Sequence, residues 1–247
     1  GVKVNYAGES HVFSATQVMG MYLAKLRDTA QAELAGAGVS DVVLSVPIWF
    51  SDAQRRAMLS AAEIANLNPL RVMNEPTATA LGYGITKTDL PEPENPRNVV
   101  FVDIGHSSYQ VSVVAFSKGQ LTVLGASADP DFGGRDFDRA LVHHFAEEFK
   151  GKYKIDVFSN PKAIFRLSAG CERLKKVLSA NTLAQLNVES IMNDIDASSQ
   201  LKREEFEQLI APYLERVEAP LNAALEQSGL SKDEIFSVEL VGGSIRV

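Results

Sequence analysis

The sequence predicts an α/β protein, and three observations support this fold class. Residues 41–47 (DVVLSVP) form a short apolar run that is typical of a buried strand. Ser14 with Gln17 and Ser51 with Gln54 have the spacing of capping boxes, which open helices. Strand signals and helix signals alternate along the chain, as they do in α/β folds. With 247 residues and 45% apolar composition, the chain can bury a sizeable core.

In the first part of the chain, short strands are each followed by a helix. In order, we expect a strand end at 2–6, a helix from the Ser14 cap to about residue 35, a strand at 41–47, a helix from the Ser51 cap to about residue 65, a short strand at 71–74, and a helix that starts at Pro76 and ends at Gly82 and Gly84.

A polar, proline-rich segment at residues 89–96 (DLPEPENP) is typical of an exposed linker, so we expect the main boundary there. After this linker, we expect three strands first and long helices next. In order, we expect an antiparallel meander of strands at 98–103, 109–116 and 120–127, helices at 136–149 and 161–178, a two-stranded excursion at 183–196, helical segments at 203–209 and 213–227 that are separated near Pro212, a capping box from Ser231 to Glu234, and a strand at 237–241.

Charge and composition argue against some partners. The 24 Lys and Arg residues form no basic cluster and are outnumbered by 31 Asp and Glu residues, so nucleic acid is not an expected partner. No apolar run reaches membrane-spanning length, and no signal-peptide core is present, so we expect no membrane partner. A lone cysteine, Cys171, cannot form an internal disulfide. We expect a soluble protein of a reducing compartment, the cytoplasm.

The turn DIGHSS at residues 103–108 is the sharpest chemical signal. A carboxylate at a strand end, here Asp103, can hold a hydrated Mg²⁺. A glycine two residues later, Gly105, lets turn amides approach a phosphate without a Cβ in the way. Taken alone, the same pattern is also that of an ordinary hairpin turn, in which Asp and Gly are common.

Two carboxylate-bearing segments give weaker signals. Glu75 lies near a helix N-terminus in the segment NEPTATA, where a helix cap with small residues that let two helices approach closely is, taken alone, the better explanation. Glu172, Lys175, Lys176 and Ser179 have helical i, i+3, i+4, i+7 spacing and can share one face. Such a face can line a pocket, although a solvated charged surface is the usual explanation.

Two glycine pairs form a third signal. The pairs Gly133-Gly134 and Gly242-Gly243 can each bring backbone close to a ligand. Turns after strands need glycine in any case, so neither pair identifies a site by itself.

In order along the chain, the segments VPIWFSDAQR, NEPTATALGYG, FVDIGHSS, FGGRDFD, ERLKKVLSA and VGGSIR resemble the signatures of the ATPase domain of the 70-kDa heat-shock chaperone superfamily. The resemblance covers essentially the whole chain. DIGHSS, Arg135 within GGRDFD, and the stretches ITKTDLP and KKVLSAN resemble its 110-kDa class, whose members act as nucleotide-exchange factors for the 70-kDa chaperones.

This resemblance implies an actin-like ATPase fold of the ribonuclease-H-like type, with two lobes and a nucleotide between them. The chain would be a truncated version of that fold. Residues 1–92 would form part of the first lobe, 93–133 and 215–247 the base of the second lobe, and 134–214 its outer subdomain.

The resemblance also implies ATP or ADP with Mg²⁺ as cofactors. Asp103 and Glu75 would be the catalytic residues, with Asp103 facing the metal through water and Pro47 beside Glu75 at the cleft floor. The nucleotide contacts would be Gly105, His106, Ser107 and Ser108 as a phosphate loop, Gly133 and Gly134 near the phosphates, Glu172, Lys175 and Ser179 on the adenosine, Lys176 stacked over the base, and Gly242, Gly243 and Ser244 beneath the sugar and base.

Two departures from the family pattern affect the expected activity. His106 and Ser107 replace glycines of the commoner loop and add bulk near the phosphates. A second Asp-x-Gly hairpin and a cleft lysine of the family would lie upstream of Gly1. Phosphoryl transfer needs charge neutralisation from several sides, so we expect this chain to be a poor ATPase.

The resemblance implies a co-chaperone that binds a 70-kDa heat-shock chaperone through the outer surface of residues 134–214. Unfolded polypeptide would bind through regions outside this chain. The alternative is an ATP-hydrolysing folding chaperone of the 70-kDa class. A sugar kinase of the same fold is a remote third, since nothing beyond the shared phosphate loop indicates a sugar site.

Overall fold

The structure is a computed structural model that describes residues 1–247. The chain divides into two compact units, Gly1–Lys87 and Thr88–Val247. The α/β fold class predicted from the sequence is confirmed by the order of helices and strands in both units. The assignment of particular stretches to lobes of the family fold stays a prediction.

The first unit contains two small sheets and three helices. In order, its elements are β1 Val2–Tyr6, β2 Glu9–Phe13, α1 Ala15–Glu33, β3 Asp41–Val46, α2 Asp52–Ile64, β4 Asn68–Asn74 and α3 Glu75–Ile85. β1 and β2 form an antiparallel hairpin, and β3 and β4 pair in parallel. A small core of Leu23, Ala61, Ala62, Ala65 and Leu67 lies where α1 packs on α2.

Both predicted capping boxes form. The Ser14 N–H donates to Gln17 Oε1 at 2.8 Å, and the Gln17 N–H donates to Ser14 Oγ at 3.2 Å. Ser51 and Gln54 exchange the same pair of bonds at 2.8 and 3.3 Å. Each box satisfies two amides of a first helical turn, which is why a three-residue spacing located these helix starts correctly.

Strand β2 was not predicted, because the region after residue 6 was taken to lead directly into the helix cap. The turn that joins β1 to β2 is Ala7-Gly8, with φ values of 51° and 86°. Positive φ at both positions is the conformation of a tight two-residue hairpin turn. Alanine is an unusual residue at the first of these positions, so the sequence carried only a weak hairpin signal.

The second unit has a four-stranded sheet with helices packed on it. In order, its elements are β5 Arg97–Ile104, β6 Tyr109–Ser117, β7 Gln120–Asp129, α4 Gly134–Tyr153, α5 Pro161–Leu178, β8 Leu183–Met192, β9 Ile195–Lys202, α6 Arg203–Leu214, α7 Glu218–Ser228 and β10 Ser237–Val241. Short 3₁₀ turns lie at Val157–Ser159, Glu215–Val217, Lys232–Glu234 and Gly243–Arg246.

The sheet order is β10-β5-β6-β7, with β10 parallel to β5 and the other pairs antiparallel. The predicted meander of three strands is therefore correct, and so is the two-stranded excursion, which is the β8–β9 hairpin. β6 is buried along its whole length, because helices cover the central part of the sheet. The main core gathers Tyr109, Phe132, Phe145, Phe149 and Leu167 with residues of β8, β9 and α6.

The predicted break between two helical segments exists, but it lies after Pro212 and not at it. α6 continues through Pro212 to Leu214, and the interruption is the 3₁₀ turn at Glu215–Val217. The missing N–H of Pro212 leaves the Gln208 carbonyl without its helical donor, and α6 accommodates this loss two residues before its end. The Ser231–Glu234 box forms as well, but it opens only the short turn Lys232–Glu234.

None of the helices combines the length and the apolar composition that a membrane-spanning segment requires.

Candidate functional site

The DIGHSS segment forms the tight turn between β5 and β6. Asp103 and Ile104 are the last residues of β5, and Asp103 is in register with Val241 at the end of β10. The Gly105 N–H donates to the Ser108 carbonyl at 2.9 Å and closes the turn. We call residues 105–108 the phosphate hairpin. This hydrogen bond does not use the amides of His106, Ser107 and Ser108.

The N-terminus of α4 rests directly on the phosphate hairpin. The Gly134 N–H donates to the Gly105 carbonyl at 3.0 Å, and the Arg135 N–H donates to the His106 carbonyl at 2.8 Å. A Cβ on Gly133 would lie 2.6 Å from the His106 carbonyl oxygen and 2.7 Å from that of Gly105. Glycine at position 133 is therefore required by space, because any side chain would push the hairpin away from the helix.

A buried carboxylate, that of Asp136, holds the first turn of α4 in place. Asp136 is 3% exposed, and its Oδ2 accepts a hydrogen bond from the Gly133 N–H at 2.9 Å. A carboxylate in the first turn of a helix also interacts favourably with the helix dipole. This contact holds Gly133 in an extended conformation with φ of −177°.

The turn after β10 contributes the third side of the site. Ser244 Oγ donates to the Gly105 carbonyl at 2.8 Å. Gly242 has φ of 92°, and a Cβ there would overlap the Ile104 carbonyl and lie 2.7 Å from Asp103 Oδ1. The phosphate hairpin, the Gly133-Gly134 turn and the turn Gly242–Ser244 thus meet in direct contact at the end of β5.

The four predicted residues of α5 divide into two environments. Glu172 and Lys176 are exposed and form an ion pair with 2.6 Å between Lys176 Nζ and Glu172 Oε1. Lys175 is buried, and its Nζ donates to Asp138 and to the Gly134 carbonyl. Ser179 Oγ donates to the Lys175 carbonyl at 3.0 Å. Ser179 is exposed as well, so three of the four predicted residues are solvated and only Lys175 is buried.

Burial and nearby charge shift the pKa values of two carboxyl groups, Asp103 and Glu172, in opposite directions. Burial raises the pKa of Asp103 above its usual range, because desolvation disfavours the carboxylate. The hydrogen bond from Lys176 and the charge of that residue lower the pKa of Glu172, and the charges of Lys175 and His106 lower it further.

A cavity of about 570 Å³ lies within the second unit next to two of the predicted residues, Ser179 and Ser244. Its walls are mainly apolar. The other lining residues include Ile104, Phe137, Phe206, Ile210 and Ile245, with Arg203 and Glu207 as the charged groups. Sequence reasoning missed Arg203, whose Nε donates to the Leu178 carbonyl at 2.8 Å and joins the start of α6 to the end of α5. No spacing in the sequence signalled that contact.

Two predicted residues lie in the first unit. Glu75 is the first residue of α3 and is followed by Pro76, and Pro47 directly follows β3. A residue that sequence reasoning missed, Arg55, joins these strand ends. Its Nη2 donates to Asn74 Oδ1 at 2.8 Å, and its Nε donates to the Phe50 carbonyl at 3.0 Å.

The residues of the second unit fit a phosphate group and a hydrated divalent cation. Glycine at 133, 134 and 242 lets the three turns pack directly on one another, and turns of this kind can present backbone amides to an anion. Asp103 would supply one hard oxygen ligand beside them. Mg²⁺ bound to nucleotide keeps several waters and needs only one or two carboxylates.

Comparisons with known proteins show the family to which the chain belongs. The family model described as "Hsp70 protein" matches residues 1–247. A heat shock protein homolog of Saccharomyces cerevisiae is 55% identical over 248 positions, which cover 100% of this chain and 36% of the relative. Heat shock protein hsp88 of Neurospora crassa is 54% identical, with 100% of this chain and 35% of the relative covered. Human Heat shock 70 kDa protein 4L is 53% identical, with 100% of this chain and 30% of the relative covered.

The chain spans about a third of the length of the curated relatives that it matches. The match runs along the entire chain, and these relatives share more than half of its residues. The chain therefore belongs to the Hsp70 protein family, in its 110-kDa heat-shock class, and has the α/β, actin-like ATPase fold of that family.

Proposed function

We propose that the second unit binds ATP or ADP with Mg²⁺ and that the phosphates lie on the phosphate hairpin. The main support is that three glycine turns from separate parts of the sequence are in direct contact around the end of β5, next to the carboxylate of Asp103. Membership of the Hsp70 family supports a nucleotide as the ligand.

Each residue has a distinct part in the proposed site. The amides of His106, Ser107 and Ser108 would donate to phosphate oxygens, and Asp103 would orient water around the metal. Mg²⁺ supplies neutralisation of phosphate charge when it is bound. Glu172, Lys175 and Ser179 are assigned to the adenosine, Lys176 to stacking over the base, and Gly242–Ser244 to the space beneath the sugar and base. Glu75 is assigned to the attacking water.

At the level of the whole protein, we propose a chaperone or co-chaperone that acts as a nucleotide-exchange factor for 70-kDa heat-shock chaperones and helps protein folding. Its partners would be a 70-kDa chaperone and, through regions outside this chain, unfolded polypeptide. A buried free thiol at Cys171 suits a reducing compartment such as the cytoplasm.

The alternative is an ATP-hydrolysing chaperone. The residues at the tip of the phosphate hairpin favour the exchange-factor role over this alternative. His106 and Ser107 are both exposed at its tip and add side chains where the commoner loop has glycine. Binding tolerates such a change better than catalysis does, because catalysis requires donors to match the charge of the transition state.

Isothermal titration with Mg-ADP and Mg-ATP tests the proposed binding, with Asp103→Asn as the variant. We expect saturable binding of both nucleotides and a dissociation constant at least about tenfold higher in the variant, since the metal loses its carboxylate partner. Equal affinity of the two proteins would contradict the assignment of Asp103, and no heat with either nucleotide would contradict nucleotide binding by this chain.

The release of a fluorescent ADP analogue from a 70-kDa chaperone tests the exchange role. We expect this chain to accelerate release and to hydrolyse ATP no faster than background. Hydrolysis by the chain itself, without faster release from the partner, would favour the ATP-hydrolysing alternative.

A further inference from the structure

A buried ion pair joins α4 to α5 directly beneath the phosphate hairpin. The ammonium of Lys175 lies 2.9 Å from Asp138 Oδ2, and the two side chains are 7% and 15% exposed. The same Nζ donates to the carbonyl of Gly134 at 3.2 Å. Asp138 and Gly134 are four residues apart on α4, so they present one binding position for the ammonium group.

The side chains around this ion pair are buried. Cys171 lies one helical turn before Lys175 and is fully buried. Burial, and secondarily the charge of Asp138, raises the pKa of the Cys171 thiol to about 12. An ammonium group in such surroundings is costly unless a carboxylate faces it, so Asp138 determines where the end of Lys175 lies.

The pair is connected to the phosphate hairpin through a single residue. Gly134 accepts from Lys175 with its carbonyl and donates with its amide to the Gly105 carbonyl. Ser244 Oγ donates to that same Gly105 carbonyl. The position of Gly134 therefore influences the hairpin and the turn after β10 together.

We propose that Asp138 is a positioning residue for the phosphate hairpin, which it fixes by holding Lys175 against the Gly134 carbonyl. This inference rests on the proposed nucleotide site for its effect on binding, although the mechanical link is a property of the chain alone. If the ion pair only stabilised the packing of α4 on α5, its loss would lower the stability of the whole second unit. It would not loosen the phosphate hairpin in particular.

Four variants separate these two roles. Asp138→Asn keeps the shape of the side chain and removes the charge, and Lys175→Met removes the ammonium. Each single change leaves one buried charge unpaired and can destabilise the fold. The double variant leaves no buried charge, so it restores stability while the link stays absent. Glu148→Gln is the control, because Glu148 is a half-buried carboxylate on the same helix that accepts from Ser199 Oγ, away from the hairpin.

Amide hydrogen exchange read by NMR is the first measurement. The Gly134 and Arg135 amides both donate to carbonyls of the phosphate hairpin, and the amides of β6 report global opening of the sheet. In Asp138→Asn and in the double variant, we expect the two α4 amides to exchange at least about tenfold faster relative to β6. Glu148→Gln should leave that ratio unchanged. Exchange that rises equally in α4 and β6, or not at all in α4, would overturn the proposal.

ADP affinity is the second measurement. We expect Asp138→Asn to raise the dissociation constant about tenfold, equivalent to about 1.4 kcal/mol, and Glu148→Gln to leave it unchanged. The double variant is not used here, because Lys175 is itself assigned to the adenosine. Weaker ADP binding with normal exchange at Gly134 would make Asp138 a direct ligand contact and overturn the positioning role. If the unchanged chain binds no ADP, the proposed function fails, and the exchange ratio still decides whether the link exists.

Discussion

Replacing Gly133 by alanine tests how tightly α4 holds the phosphate hairpin. The added methyl group would lie 2.6 Å from the His106 carbonyl oxygen, so the hairpin must retreat by about 0.8 Å to restore ordinary contact. φ at Gly133 is −177°, an extended value open to any residue, so the cost comes from contact and not from backbone strain. Overpacking of this kind costs about 1–3 kcal/mol.

For a unit of this size, that loss corresponds to a melting temperature lower by about 2–12 °C, measured by calorimetry. Displacement of the hairpin should also weaken Mg-ADP binding by at least about tenfold, because the amide donors move with it. Gly151→Ala is the matched control. Gly151 lies in the same helix, and a Cβ there would meet nothing within 4 Å. That change should stabilise the unit by about 0.5–1 kcal/mol.

If Gly133→Ala is as stable as the unchanged chain and binds ADP equally well, the contact between α4 and the hairpin is looser than the structure indicates. In that case the hairpin would not depend on α4 for its position.

Three further results are expected. Gly242→Ala should be more destabilising than Gly133→Ala in the same calorimetric comparison, because strain at φ of 92° adds to overlap with the Ile104 carbonyl; the reverse order would contradict this reasoning. Burial raises the pKa of Asp103, so the folded state binds this proton more tightly and gains stability as pH falls through that pKa. Asp103→Asn should remove that gain and should not lower stability at pH 7, as denaturant unfolding at several pH values will show; a less stable variant at pH 7 would refute it. Cys171 has its pKa raised to about 12, so only about one thiol in 10⁴ is ionised at pH 8. Ellman's reagent should react with the unfolded chain alone, and fast labelling of the native chain would show that the thiol is accessible.

Local signals located most of the elements correctly. The boxes at Ser14 and Ser51 identified helix starts because both partners lie within four residues of each other. The meander followed from alternating runs and short turns. The β1–β2 hairpin was missed because its turn begins with alanine. The helix break was placed at Pro212 because proline disfavours helix interiors, but α6 accommodates it and the break comes at Glu215–Val217.

Part of the candidate site was predictable from the sequence, and part was not. Asp103 and the glycine turns were predicted from the motifs that contain them, and the structure brings those of the second unit together. The burial of Lys175 was not predictable from helical spacing. Its partner Asp138 is 37 residues away, and only the packing of α4 on α5 places them together. Sequence spacing describes one helix face, whereas burial depends on the element packed against that face.

Titration of the ¹⁵N-labelled chain with Mg-ADP, followed through backbone amide shifts, would show whether phosphates bind on the hairpin between β5 and β6. We expect the largest saturable shifts at His106, Ser107 and Ser108, smaller ones at Gly134 and Gly243, and none in the β1–β2 hairpin. Saturable shifts that leave the amides of residues 106–108 unmoved would show that the nucleotide binds elsewhere and that the phosphate hairpin is wrongly assigned.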